Sequence, residues 1–320
     1  MTPASATLQL IRQSDGLKVE PTLTLPPVPL LLNGLAPEGV LERLGLIYRQ
    51  CGEAQRWAAL SLIEPQRGLC PDAATEAARD QALALEWATE HSWQLWRIAH
   101  ELLPPSPSRL ALLTRWRQTL AQHRAALPSR RYQPGAAVAP VALSPLDDWR
   151  GEWEREVMAP IQTAVAERGW DTRFYTPADL IQRWESGPAR RLGMQAPTLA
   201  DRLEALWIEL WQAVDALGQP GALTAVLKPQ AGERPAARGT LRHLCRWQEE
   251  RAYEYQIRIP TEGTLAAIAA SLPQLPPPPP SEWSQWRQGV AIWVLAHAPC
   301  LEVQILETGT EIPSGEHHHA

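Results

Sequence analysis

Residues 37–63, PEGVLERLGLIYRQCGEAQRWAALSLI, place apolar side chains at Val40, Leu41, Leu44, Ile47, Tyr48, Cys51, Ala54, Ala58 and Leu62. Spacing by threes and fours marks one face of a helix, so the stretch predicts a single long helix from about Pro37 to Ile63, with Cys51 inside it. Asp72 to Leu103 repeats the pattern, with Leu83, Trp87, His91, Leu95 and Ile98 as its stripe, and Ser108 to Leu127 makes a third helix. Pro145 to Arg168, Thr176 to Trp184 and Pro197 to Leu217 continue it. The first two hundred residues read as a bundle.

After Gly221 the pattern changes. Leu223 to Leu227, Gly239 to Trp247 and Tyr253 to Ile259 alternate or carry β-branched and aromatic residues, with Gln248 to Arg251 as a polar turn, which predicts a small β-hairpin. Helices follow from about Thr261 to Leu272 and from Ser281 to Ala298, separated by five prolines, Pro276 to Pro280, read as a stiff polyproline II connector. The fold class expected is mainly α, a helical bundle with a small β-hairpin or sheet near the C-terminal third. One domain over 1–320 is expected: a helical block at 30–127, a proline-rich linker at 128–146, a helical middle at 147–220, the hairpin and C-terminal helices at 221–312, and a disordered tail at 313–320.

Composition removes several function classes. With 30 Lys plus Arg against 35 Asp plus Glu, the net charge of -5 offers no global attraction to nucleic acid or an anionic membrane. Apolar runs are broken well before the ~18 residues a membrane span needs, so no membrane insertion is expected. Four scattered cysteines, Cys51, Cys70, Cys245 and Cys300, form no disulfide framework and fit a reducing cytoplasm. Only Lys18 and Lys228 are lysines, and 15 Trp stand against 1 Phe; both biases read chiefly as genome composition.

Taken one at a time, the chemistry-bearing residues have bland readings. Cys51 and Cys300 are small core hydrophobes, Cys70 and Cys245 are structural, His91 is a hydrogen-bonded core histidine, and Arg238 makes an ordinary salt bridge. Glu86 and Glu90, four apart, read as a solvated helix face, and the acidic run from Asp147 to Glu156 as a helix start favoured by the dipole. His317 to His319 read as tail, with imidazoles able to bind nickel or zinc as the sharper alternative.

The order of several segments alters that weighing. Arg49-Gln-Cys-Gly-Glu-Ala54 resembles the R-x-C-G-x-C motif of nickel-iron hydrogenase large subunits, and Glu90-His91-Ser-Trp93 the histidine-rich helix after it. Ala237-Arg238-Gly239 and Ile259-Pro260-Thr261 look like the P-R-G and P-T/S-x-W-N segments, and Ala298-Pro299-Cys300 like the C-terminal D-P-C-x-x-C-x-x-H. Each C-x-x-C keeps its first cysteine and loses its second, leaving Ala54 and Val303 where the bridging thiolates would be. Leu306 replaces the histidine at the processing site, and Gly263-Thr264 the Trp-Asn pair. The chain is similar to the HupK and HoxV group of hydrogenase expression/formation proteins, which look like degenerate large subunits.

That resemblance implies a non-catalytic maturation scaffold rather than an enzyme. It implies that Cys51 and Cys300 hold a transient Fe(CN)2(CO) unit, that Arg238, Pro260 and Thr261 bind its ligands, and that no stable nickel-iron centre forms. The partners implied are a HypC-type maturation chaperone and a hydrogenase large or small subunit. A metal-free interaction module and an active metal-dependent redox enzyme are the alternatives. The two sulfurs are expected to converge, with Arg49 or Arg238 beside them favouring thiolate.

Overall fold

The computed structural model describes residues 4–13, 16–227, 229–276 and 278–309. Helix makes up about 57% of the chain, accompanied by two small sheets. The expected tail at 313–320 and the tract His317 to His319 lie outside the described residues, as does Pro277 of the proline connector.

The chain begins with strands β1 (Ser5–Gln13) and β2 (Gly16–Thr24), then helices α1 (Val28–Leu32), α2 (Pro37–Ile47), α3 (Gly52–Gln66), α4 (Ala73–Leu102) and α5 (Pro107–Ala126). Next come α6 (Arg150–Trp153) and α7 (Ala159–Glu167), joined by a wide turn of π type, then α8 (Ala178–Trp184), α9 (Pro188–Arg191), α10 (Leu199–Gly218) and α11 (Ala222–Leu227). Strands β3 (Glu233–Ala236), β4 (Gly239–Gln248) and β5 (Arg251–Arg258) precede α12 (Pro260–Ser271), α13 (Trp283–Ala296) and β6 (Val303–Gly309).

Helix α4 is the rod on which the rest is hung. Asp72 caps its start by accepting the Thr75 N–H at 2.7 Å, and 19 of its 30 residues are buried, so it is covered nearly all round as a central helix must be. Helix α10, started by a capping box of Thr198 and Asp201, packs along it. The tryptophans fill this centre: Trp57, Trp87, Trp116, Trp153, Trp170, Trp286 and Trp293 are all fully buried.

The polar residues of α4 organise its neighbours. Buried Asp80 accepts N–H bonds from Gly221, Leu223 and Thr224 and so caps α11. Leu223 to Leu227, expected as strand, is helical for this reason: the cap comes from a residue remote in sequence, invisible to local pattern. Gln81 straps the irregular segment after α5 through both the N–H and the carbonyl of Val141. Arg79, with no solvent exposure, forks Glu64 at 2.8 and 2.9 Å.

Two further expectations are corrected. Residues 37–63 form two helices, not one: Cys51 sits between them with φ 50° and ψ 21°, a left-handed conformation that ends one run and starts the next. The terminal sheet was not foreseen. Its order is β2-β1-β6, with β1 antiparallel to β2 and parallel to β6 in a register that sets Ala6 opposite Val303. The second sheet, β3-β4-β5, contains the expected hairpin, antiparallel throughout.

Candidate functional site

Cys51 opens α3 without capping it, since no side-chain bond is made by the N-cap residue. Glu86 of α4 does the work instead: its carboxylate accepts the N–H of Glu53 at 2.7 Å and of Ala54 at 3.4 Å. Glycines at 45 and 52 weaken the helix around the break, and a buried acceptor across the core stabilises the second start. Far from lying on a solvated face, Glu86 is 4% exposed. Burial, with the Glu53 and Glu90 carboxylates adding to it, pushes its pKa up to about 8 against the two N–H bonds.

The second cysteine arrives from the other end of the chain. After α13, His297 is fixed by its Nδ1 against the Trp293 carbonyl at 2.8 Å, Ala298 turns left-handed at φ 50°, and Pro299 and Cys300 follow. Two side chains pin this loop. The Cys300 N–H donates to Thr261 Oγ1 at 2.9 Å, and Arg238 Nη1 donates to the Pro299 carbonyl. Arg238 is 4% exposed, and its Nη2 also reaches Glu90 Oε2 at 2.5 Å.

Arg238 stands at the tight turn from β3 to β4, which Gly239 alone among residue types can complete. Its φ is +141°, and a Cβ there would lie 2.5 Å from Pro260 Cβ and 2.7 Å from Ser186 Oγ. Arg191 braces the same turn: it forks Glu209 at 2.7 and 2.5 Å and donates to the carbonyls of Ala236 and Ala237. Glu209 also lies 3.2 Å from His91 Nε2, so His91 is bound within the core.

The structure therefore brings Cys51, Cys300, Arg238, Pro260 and Thr261 together. Both thiols open with Pro260 onto one cleft of about 550 Å³ walled by Ile47, Tyr48 and Ile257, close enough to shift each other's titration. The pair is unequal. Cys300 is pulled down to about 7, first by the Cys51 thiol donating to it, then by the Arg238 charge and the Thr261 hydroxyl. Cys51 is raised, because it gives its proton to the neighbouring sulfur and sits half-buried beside Cys300 and Glu86. Burial and the two neighbouring sulfurs also raise Tyr48. Arg49 is exposed at the cleft mouth, so the cation beside the pair is Arg238.

The positions that the resemblance sets against bridging thiolates are filled by other work. Ala54 is fully buried in the first turn of α3, and Val303 opens β6 opposite Ala6. Gly263 is forced by packing: a Cβ would come 2.0 Å from the Trp184 carbonyl. Among the described residues no group of three or more His, Cys, Asp or Glu is placed to hold a metal ion. Cys70 is exposed, and Cys245 lies half-buried in β4.

Residue-by-residue reading passed over Gln55, His243 and Tyr255, which make a buried line to Cys51, as well as the caps given by Asp80 and Glu86. The one available signal was polar residues recurring on the apolar stripes.

No family model matches the chain. It is 27% identical over 296 residues to the hydrogenase expression/formation protein HupV of Azotobacter chroococcum mcd 1, covering 79% of this chain and 84% of that protein. To the hydrogenase expression/formation protein HupK of Azotobacter vinelandii it is 31% identical over 271 residues, 74% of this chain and 79% of that protein. Identity at that level, spread along most of both chains, reaches well beyond the short motifs around the two cysteines, and on it the chain belongs to the HupK-type family of hydrogenase expression/formation proteins.

Proposed function

We propose that this protein is a non-catalytic scaffold of hydrogenase maturation, a degenerate large-subunit-like fold that takes an iron dicyano-carbonyl unit as cargo between Cys51 and Cys300. The observation that carries the reading is the meeting of two thiols from opposite ends of the sequence under Arg238, with Ala54 and Val303 in the bridging positions. Two sulfurs suit an iron that brings its own three diatomic ligands, and leave a two-metal centre short of bridging donors. A guanidinium has five N–H groups, and Arg238 uses Nη1 and Nη2 in one bond each, leaving three for a cyanide. Thr261 Oγ1 accepts the Cys300 N–H, and its own O–H or the backbone N–H in the first turn of α12 can donate to the second cyanide.

In this reading the partners are a HypC-type chaperone that delivers the unit and a hydrogenase subunit that receives it, all in the cytoplasm. No helix of the described residues is long and apolar enough to cross a membrane. Infrared spectra of the protein purified with its maturation partners test the role. Metal-bound cyanide and carbonyl bands that vanish in Cys51→Ala and Cys300→Ala are expected; absent bands, or bands indifferent to both substitutions, reject it.

A further inference from the structure

Behind Cys51 runs a line of three buried side chains. Tyr255 in β5 is 3% exposed, and His243 in β4 and Gln55 in α3 are fully buried. The Tyr255 hydroxyl lies 2.8 Å from His243 Nδ1, His243 Nε2 lies 2.5 Å from Gln55 Oε1, and Gln55 Nε2 lies 3.8 Å from Cys51 Sγ. Three separate elements supply the line, so the tertiary fold holds it in place.

Its direction follows from its far end. Among the described residues His243 is the one hydrogen-bond partner of the Tyr255 hydroxyl, and a buried O–H without an acceptor is strongly disfavoured. The phenol therefore donates to Nδ1. Burial keeps the imidazole neutral, with its pKa pushed down to about 3, so its single proton sits on Nε2 and is donated to Gln55 Oε1. With its oxygen engaged, the Gln55 amide has only N–H to offer the sulfur. Reversing the line would turn the Gln55 carbonyl toward Cys51, which suits a thiol and repels a metal-bound sulfur.

Resting on the scaffold reading above, we infer that Gln55 is a positioning residue, oriented by His243 and Tyr255, that keeps the Cys51 sulfur a hydrogen-bond acceptor and thereby readies it to bind a transition-metal fragment. Groups that orient a metal ligand typically change metal affinity 10- to 100-fold when removed.

The test titrates the purified full chain with Co2+ alone and follows sulfur-to-cobalt charge-transfer absorption, a band that reports thiolate ligation directly. The wild type is expected to show a band that both Cys51→Ala and Cys300→Ala abolish. Gln55→Leu is expected to bind about tenfold more weakly, with the band moved to lower energy because the sulfur electrons lose the N–H that stabilised them. Tyr255→Phe, which removes one oxygen far from the metal and frees the line to reverse, should shift the band in the same direction. Nitrogen-15 spectra of His243 in the wild type, which need no variant to fold, should show the Nε2–H tautomer. An Nδ1–H tautomer, or unchanged affinity and band in both variants, overturns the positioning role and leaves the two-cysteine site standing. A wild type without any cysteine-dependent band overturns both.

Discussion

Replacing Arg238 by methionine is the most informative single perturbation, because one side chain ties three separate parts of the chain together. It joins Glu90 of α4, the β3–β4 turn and the loop before Cys300, at 4% exposure. Removing one member of a buried ion pair strands the other, at about 3–5 kcal/mol. An unfolding entropy of about 2.1 cal/mol/K per residue gives roughly 0.7 kcal/mol/K for 320 residues, so Tm should fall by about 4–7 °C. Arg238→Lys, which keeps the charge but cannot satisfy two acceptors in a fork, should lose about 1–3 kcal/mol. Denaturant unfolding of Arg238→Met, Glu90→Gln and the double variant gives the coupling directly, expected above about 1 kcal/mol. Additive losses, or a cost for Arg238→Met below about 1 kcal/mol, would refute the buried pairing and with it the account of how Cys300 is held.

Gly239→Ala should cost more than about 3 kcal/mol in a melt, since a Cβ meets Pro260 at 2.5 Å with φ at +141°; near-wild-type stability would show that the turn can move. Cys51→Gly should be about 1 kcal/mol more stable than Cys51→Ala, because glycine alone carries φ 50° without strain; equal melts would deny the left-handed break. Glu86 has its folded pKa raised to about 8, so the folded state binds the extra proton, and the stabilisation present below about 4.5 is lost as pH rises through 8. Glu86→Gln, which retains an oxygen for the Glu53 N–H, should flatten that decline in stability measured from pH 5 to 9, and an unchanged slope would count against the buried acid. Thr261→Val should destabilise by about 1–3 kcal/mol through the unpaired Cys300 N–H, and Thr261→Ser should restore most of it.

Local periodicity was enough to find α4, α5, α10 and α13 to within a few residues, because each carries a long apolar stripe with turn residues at its ends. The β4–β5 hairpin was legible from alternation for the same reason. What escaped was set by residues far away in sequence. The break at Cys51 depends on Glu86, helix α11 depends on Asp80, and β1 is a strand through partners at both β2 and β6. Cys51, Cys300, Arg238 and Thr261 were legible through the order of the motifs around them, since no spacing rule joins residues so distant. Gln55, His243 and Tyr255 carry no motif, and only the fold aligns them. The arginine bias, read as genomic, also has a physical use: Arg79, Arg131, Arg191 and Arg202 each fork a buried carboxylate, a geometry lysine cannot supply.

Pairing β1 in parallel with β6 sets the timing of assembly. Strand β1 has no partner on that side until Val303–Gly309 has been synthesised and released, and contacts this remote in sequence form late in folding. Cys300 lies immediately ahead of β6, so a nascent chain carries Cys51 without Cys300 while everything between them is being translated. The two thiols can meet only once Cys300 itself has left the ribosome, so under the proposed function loading would follow synthesis of both halves of the site.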